Sequence, residues 1–403
     1  MQQRLVIIGA GFAGMYAALS AARLRDAKGV SSKELDIRLV APEPMLVVRP
    51  RLYEQRPETL TAPLGGVLEA IDVPYVQGHV DTIDIKGRTL DVVDSAGRRS
   101  ALAYDRLVLA AGSQGFRPPV PGLSEFGFSV DQLADAMSLD RHLQGLAACP
   151  SSPARNTVVV AGGGFTGIEV ATEMPARLRG ILGQDAEIRV VIVERGNAIA
   201  PDMGASPRPH IEEALRTLGI EARVGAGVAA LDKDGVTLSD GSRIESATVI
   251  WSAGMRASPL TAQISADRDN LGRLVVDRDL RVPAVPTVFA TGDAAKAASD
   301  DLGNYALMSC QHATRMGAFA GNNAAADLLG VAPAPYHQRA YVTCLDLGAA
   351  GAIFTRGWDR KLELLGAEAK KLKHEINTVW IYPPTAERAA ALASADPERV
   401  TDL

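Results

Sequence analysis

Leu5-Val6-Ile7-Ile8-Gly9-Ala10-Gly11-Phe12-Ala13-Gly14 opens the chain, and Val158-Val159-Val160-Ala161-Gly162-Gly163-Gly164-Phe165-Thr166-Gly167 repeats its form further on. Each is a short apolar run, then a G-x-G-x-x-G turn, then a helical pattern. A buried strand that turns through glycines into a helix begins a βαβ unit. The first glycine permits the tight turn, and the second lets a pyrophosphate reach the backbone. The third lets the helix pack on the strand, with its N-terminus facing the phosphates. In this strand–turn–helix context Gly9, Gly11, Phe12, Ala13 and Gly14 are one candidate dinucleotide site. Gly162, Gly164, Phe165, Thr166 and Gly167 are another.

Working outward, residues 4–8 read as a strand, 14–24 as a helix and 37–40 as the next strand, with 25–36 as an extended loop. The pattern restarts with a strand at 157–161, a helix at 167–182 and a strand at 188–193. Residues 147–153 (Ala-Ala-Cys-Pro-Ser-Ser-Pro) read as a linker into this second unit. A helix is expected over 308–329, and Pro333 and Pro335 open a C-terminal segment. The expected fold class is α/β, with two Rossmann-like dinucleotide-binding domains and a small C-terminal segment.

Composition bounds the function. The chain has 403 residues, enough for two or three cores, and a net charge of −5 offers no general attraction to nucleic acid. Three scattered cysteines suit a reducing cytoplasmic setting and no disulfide framework. The apolar run at the N-terminus flows into a glycine motif, so it reads as a strand and not as a signal peptide. No stretch approaches the ~18 consecutive apolar residues of a membrane-spanning helix. The histidines are scattered, and no metal site is expected.

The second unit ends at Val193-Glu194. An acid there accepts hydrogen bonds from an adenosine ribose and repels a 2′-phosphate, which favours NADH, although the adjacent Arg195 softens the preference. The first unit lacks that acid; its nearest carboxylate is Glu43, either a ribose partner or a solvated loop residue.

Beyond the loops, the chain resembles the two-dinucleotide flavoprotein reductases, and within them the type II NADH:quinone dehydrogenases. The resemblance covers residues 1–330. Tyr104-Asp105-Arg106-Leu107-Val108-Leu109-Ala110-Ala111-Gly112-Ser113 looks like the family's crossover strand. Val288-Phe289-Ala290-Thr291-Gly292-Asp293 looks like its second flavin motif. Val249-Ile250-Trp251-Ser252-Ala253-Gly254-Met255-Arg256-Ala257 resembles the segment that returns from the NADH domain, and Pro50-Arg51-Leu52-Tyr53-Glu54 resembles the type II branch.

The resemblance implies FAD and NADH as cofactors. The FAD domain would be discontinuous (1–115 and 255–330), with an NADH domain at 116–254 and a C-terminal segment at 331–403. Arg51, Ala111, Gly112, Gly254, Gly292 and Asp293 would join the cofactor-binding set. Hydride transfer between stacked rings needs positioning rather than a nucleophile. Glu169, just past Gly167, would lie beside the nicotinamide and help relay a proton; a carboxylate merely complementing the helix end is the plainer reading. Glu173, one turn on, reads as a surface or ion-pair residue.

Cys310-Gln311-His312-Ala313-Thr314-Arg315 occupies the place of the family's Ala-Gln-x-Ala-x-Gln quinone motif, with Gln311 as a catalytic and flavin-contacting residue. Cys310 and Arg315 depart from it, and Arg315 would suit a more polar acceptor or face solvent. The stretch Met45-Leu46-Val47-Val48-Arg49 lacks the cysteine of coenzyme A disulfide reductases. The basic run Lys370-Lys371-Leu372-Lys373 reads as a dimer contact, a solvated face or, less in keeping with its few apolar neighbours, a lipid contact. The partners implied are a small-molecule electron acceptor such as a quinone, with peripheral contact at the inner face of the membrane and a homodimer left open. The rival readings are a soluble reductase of a small iron–sulfur protein, docking on Arg49, Arg51 and Arg315, and an NADH-sensing flavoprotein resembling apoptosis-inducing factor.

Overall fold

The structure, a computed structural model, describes residues 2–338 and 340–399. Its frame is two five-stranded sheets built to one plan. The first runs in the order Val288–Ala290, Arg106–Leu109, Gln3–Ile8, Leu35–Ala41, Tyr75–Gln77. The second runs Gly127–Phe128, Thr248–Trp251, Thr157–Ala161, Arg189–Glu194, Ile220–Val224. Every neighbouring pair in both sheets is parallel. The middle strand of each feeds a glycine loop. Leu5, Val6 and Ile7, like Val158, Val159 and Val160, are fully buried, as strands covered on both faces must be.

The helix after each loop, α1 (Phe12–Ala27) and α2 (Phe165–Leu182), returns the chain to the next strand. A third, α3 (Cys310–Leu329), packs parallel to α1 at close range. A Cβ on Gly317 would collide with the Ala13 carbonyl, and one on Gly321 with that of Ala17, so glycine permits the approach. The chain passes between the sheets twice, and the two passages pair antiparallel as Ser113–Gly115 with Met255–Ala257.

Three expectations are corrected. The loop over 25–36 is shorter: α1 runs to Ala27 and the strand begins at Leu35. Arg25 is buried and donates to the carbonyls of Ile71 (2.6 Å) and Asp72 (3.1 Å), while Asp36 is buried between Arg4 and Arg38. Charged residues satisfied inside the fold look like loop in the sequence. Residues 147–153 do run into strand Thr157–Ala161, but they do not mark where the second sheet begins. Strand Gly127–Phe128 and helix Leu133–Gly145 already belong to it, so the segment is an internal connection. Helix α3 starts at Cys310 because the Ser309 hydroxyl caps it, accepting the His312 backbone N–H.

A further correction concerns the C-terminal segment. Strands Val342–Asp346, Ala352–Arg356 and Lys361–Leu365 form an antiparallel sheet, covered by α4 (Gly366–Glu375) through Val342, Cys344, Phe354 and Ala369. The basic run lies on α4: Lys371 is exposed, but Lys373 is buried and Lys370 is ion-paired with Asp346. The chain then doubles back. Helix α5 (Arg388–Ser394) packs on α1, with Arg388 paired to Asp26 and Asp72. Among the described residues no helix is long and apolar enough to cross a membrane.

Candidate functional site

The two glycine loops are near copies. Gly9 and Gly162 turn with φ of 109° and 114°. A Cβ on Gly14 would press into the Gly9 carbonyl, and one on Gly167 into that of Gly162. The middle glycines, Gly11 and Gly164, have nothing within 4 Å of a Cβ position, and neither helix N-terminus has a side-chain cap. The first-turn N–H groups, carried by Phe12 and Ala13 or by Phe165 and Thr166, are thus left for an anionic ligand. This open cradle fits the pyrophosphate of a dinucleotide in both places.

Glu194 stands at the end of its strand with both oxygens engaged, accepting the N–H of Gly163 at 2.8 Å and of Gly196 at 2.6 Å. That fixes the carboxylate beside the second loop. Glu43 is exposed two residues beyond its strand. Burial, and then the Glu43 charge, push the neighbouring Tyr75 hydroxyl up to about 12, and that hydroxyl donates to the Ala41 carbonyl at 2.6 Å.

Gly292 sits where α1 and α3 begin; a Cβ there would meet that of Ala13 at 2.8 Å and that of Ala313 at 3.5 Å. Next to it Asp293 accepts from the Ser113 hydroxyl at 2.6 Å, with Arg49 at 3.7 Å, and burial raises its carboxyl's pKa. Arg49 also holds Asp131, whose other oxygen accepts the Gly115 N–H at 2.7 Å, tying this corner to the inter-sheet passage. Ala111 and Gly112 lead into the passage, and Gly112 accepts from the Ser258 N–H at 2.9 Å. Gly254 lies on the returning passage, with φ of 85°, and accepts from the Phe116 N–H at 3.0 Å. Arg51 is turned the other way, bidentate on Glu54 and donating to the Tyr382 hydroxyl at 3.0 Å.

A second polar centre lies at the start of α2. Glu169 is 4% exposed and accepts from Lys373 Nζ at 2.8 Å and from the Asp346 N–H at 3.0 Å. Lys373, 5% exposed, also donates to the Cys344 carbonyl at 2.9 Å, and its ammonium lies 5.7 Å from the centre of the Phe165 ring. Burial lifts the Glu169 carboxyl's pKa against the pull of Lys373. Burial, the largest single influence on Lys373, would depress its pKa, but the charge and hydrogen bond of Glu169, with the Cys344 and Asp346 charges, together raise it. Asp346 also receives the Tyr53 hydroxyl at 3.3 Å. Glu173, half-buried, is raised by burial and by the Asp346 charge.

Gln311, on the first turn of α3, accepts the Val342 N–H at 3.3 Å. Its neighbour His312 is fully buried, with Nδ1 2.9 Å from the Ser309 hydroxyl. Burial, with Arg360 and Arg273 nearby, lowers its pKa to about 4, so the imidazole is neutral. Arg315 lies over Phe319 and donates to the carbonyls of His337 and Arg399, at 3.4 and 2.9 Å. It faces the returning tail rather than an acceptor.

The sequence reading missed Lys373, Asp346 and Ser113. No local pattern marks them: the hydrogen bond between Lys373 and Glu169 spans 204 positions. The cysteines are free; Cys149 is exposed, Cys310 half-buried and Cys344 buried.

Two glycine-loop sheets joined by paired passages, with a buried acid–ammonium pair where the second loop's helix meets the C-terminal sheet, define an oxidoreductase of the two-dinucleotide class. The chain belongs to the pyridine nucleotide-disulphide oxidoreductase family, whose model matches residues 3–317. It is 48% identical over 397 residues to an NADH dehydrogenase-like protein of Mycobacterium tuberculosis, covering 98% of each chain. It is 31% identical to the type II NADH:quinone oxidoreductase Ndh of the same organism, over 73% of this chain and 67% of that one. In fold it matches the structure of NDH2 from Plasmodium falciparum in complex with NADH, with a TM-score of 0.77 at 15% identity and 98% of each chain covered.

Proposed function

We infer that this protein is an FAD-dependent NADH dehydrogenase that delivers two electrons to a quinone. The observation that carries the reading is that strand Val342–Asp346 is held at one end by Gln311 of α3 and at the other by Glu169 of α2. The small C-terminal sheet thereby spans the starts of the helices that follow the two nucleotide sites. The relatives named as NADH dehydrogenases and quinone oxidoreductases support it.

FAD is assigned to the first glycine loop, with Asp293 and Gln311, in the domain formed by 1–115 and 255–330. NADH is assigned to the second loop, in 116–254. When bound, NADH supplies a hydride and FAD accepts it. The chain's own residues bind, orient and manage charge. The loops hold the pyrophosphates, and Glu194 takes the ribose hydroxyls with its remaining lone pairs. Phe165 and Lys373, which lie against each other beside the second loop, would line the nicotinamide side of the bound nucleotide. Glu169 and Lys373 hold one proton between them, on Nζ in the resting pair, away from bulk water. The start of α3 presents backbone N–H groups and the Gln311 amide to negative charge.

The iron–sulfur alternative is weaker, because the arginines of its docking patch are engaged: Arg49 with Asp131, Arg51 with Glu54, Arg315 with the tail. A lipid-soluble acceptor would place the protein in the cytoplasm at the inner face of the membrane. Exposed Val379 and Trp380, near Lys371 in sequence, are the surface we assign to peripheral contact.

Anaerobic mixing with NADH tests the reading. Flavin absorbance should bleach, and a short-chain quinone should restore it. Bleaching without recovery would remove quinone as acceptor, and no bleaching would remove the enzyme.

A further inference from the structure

The second parallel sheet ends on one side at strand Ile220–Val224, which pairs only with Arg189–Glu194 among the described residues. Hydrogen bonds of the inner strand fix which way this edge faces. Arg189 donates to the Asn156 carbonyl and Val193 accepts the Gly162 N–H, so the odd-numbered residues of Arg189–Glu194 face the middle strand. Its even-numbered residues therefore bond the edge strand. With Val190 in register with Ile220, they reach the odd-numbered residues there. Gly225, just past the strand, keeps the same parity by donating to the Gly196 carbonyl at 2.8 Å. Ile220, Ala222 and Val224 are left with N–H and C=O directed outward.

The side chains divide the same edge between two faces. Ile220, Ala222 and Val224 lie on the face covered by helix Arg208–Thr217, where a cavity of about 340 Å³ opens among them, Asn197, Leu215 and Arg216. Ile220 is buried, but Val224 is 44% exposed. Glu221 and Arg223 lie on the other face. Glu221 is bidentate on Arg189 at 2.8 and 3.0 Å, whereas Arg223 reaches it only at 3.9 Å. The strand thus carries an acid and a base on one face, on either side of Ala222.

A second copy of this strand can meet it antiparallel about a two-fold axis, provided that outward residues oppose outward residues. Axes through Glu221, Ala222 or Arg223 satisfy this and overlap more than one residue. The axis through Glu221 sets two glutamates directly opposite, and the axis through Arg223 sets two arginines opposite; like charges so placed repel. The axis through Ala222 sets Glu221 against the partner's Arg223, and does so twice. It also lets Ala222 exchange two hydrogen bonds with its own copy, and brings the partner's Val224 against Ile220 beside the cavity. We propose that strand Ile220–Val224 pairs with that of a second copy of this chain about Ala222, joining two five-stranded sheets into one of ten strands. Charge and apolar surface select one register, which is also the one that uses the whole strand. So short an edge makes a small contact, and the association is weak and reversible.

Sedimentation velocity of the FAD-loaded full chain at rising micromolar concentration should show monomer passing reversibly into dimer. Arg223→Glu sets acid against acid at both facing positions, and Glu221→Arg sets base against base. Each should raise the dimer dissociation constant about tenfold or more. Mixed in equal amounts, the two variants should dimerise with one another, because every facing pair is then opposite in charge. Ala222→Pro removes the central outward N–H, which an edge strand tolerates, and should abolish the dimer. FAD content and bleaching by NADH should match the parent in all three, since these residues touch neither glycine loop. If the proline variant loses FAD, the two charge variants and their mixture decide alone. A chain that stays monomeric throughout, a dimer that none of the variants weakens, or a mixture no more associated than its parts would each overturn the proposal. The reading of the acceptor as a quinone is judged separately, by bleaching and recovery.

Discussion

Replacing Lys373 with Met removes the ammonium and nearly keeps the volume, so the packing contribution to any loss is small. What remains is a Glu169 carboxylate, 4% exposed, whose nearest countercharge had been 2.8 Å away. Leaving such a charge buried and unpaired costs about 3–5 kcal/mol. The carboxylate has an escape, which is to bind a proton. From an unfolded-state pKa near 4.3, that costs about 1.4 kcal/mol per pH unit, or about 5 kcal/mol at pH 8 and about 2 kcal/mol at pH 6. The protein takes the cheaper route at each pH. Glu169's folded pKa, already raised by burial, rises further in the variant. The folded state then binds more protons than the unfolded state, and stability falls as pH climbs from about 4.3 through that folded pKa. The expected deficit is therefore about 3–5 kcal/mol at pH 8, shrinking to about 2 kcal/mol at pH 6. Urea midpoints of the FAD-loaded protein at the two pH values, followed by flavin fluorescence and far-UV circular dichroism, measure it. Lys373→Met combined with Glu169→Gln should recover much of the loss at pH 8, since the amide carries no charge. A deficit that ignores pH, or a double variant no more stable than the single one, would refute the reasoning.

Three further outcomes are expected. Glu194→Gln should weaken NADH binding more than NADPH binding in titrations of the loaded protein, and equal loss for both would end its ribose role. Gln311→Ala should slow reoxidation by quinone more than reduction by NADH in stopped-flow, since the change lies at the start of α3, away from the second glycine loop; unchanged acceptor kinetics would take Gln311 out of the site. Gly167→Ala drives a methyl into the Gly162 carbonyl, so NADH affinity should fall by at least tenfold while FAD stays bound; wild-type bleaching at low NADH would show that the loop tolerates the side chain.

The central strands and glycine loops were legible because their signals are local. A run such as Val158-Val159-Val160-Ala161 followed by Gly162 has few structural solutions, and strand Thr157–Ala161 lies where the sequence puts it. Glu194 was legible for the same reason, being fixed by its place at a strand end. What failed to show was chemistry assembled from a distance. Lys373 sits in a run that reads as solvated, and only packing of α4 against the small sheet buries it. Arg25 and Asp36 misled in the opposite sense, since buried charges with several partners carry no mark in the sequence. The residue types at His312 and Arg360 were visible, but that His312 Nε2 and Arg360 Nη1 are buried without a hydrogen-bond partner is a property of three-dimensional packing alone.

The same small sheet explains why a segment with no glycine loop of its own belongs to the site. Strand Val342–Asp346 is an edge strand, with a partner on one side only. Edge strands present unpaired N–H and C=O groups at alternate residues, about 6.6 Å apart, and such edges are a liability unless covered. Here the covering groups are the polar side chains of the site: Gln311 takes the N–H of Val342, Lys373 the carbonyl of Cys344, and Glu169 the N–H of Asp346. The edge is satisfied by side chains from the starts of α3 and α2, and by a lysine from the helix that covers the sheet. Conversely, those side chains are held in register by a backbone ladder instead of by their own rotamers. A shift of one residue would turn the outward groups inward and release Gln311, Lys373 and Glu169 together. Gln311 and Glu169 are thus spaced by strand geometry, and that spacing is why the C-terminal sheet cannot be exchanged for a plain surface loop.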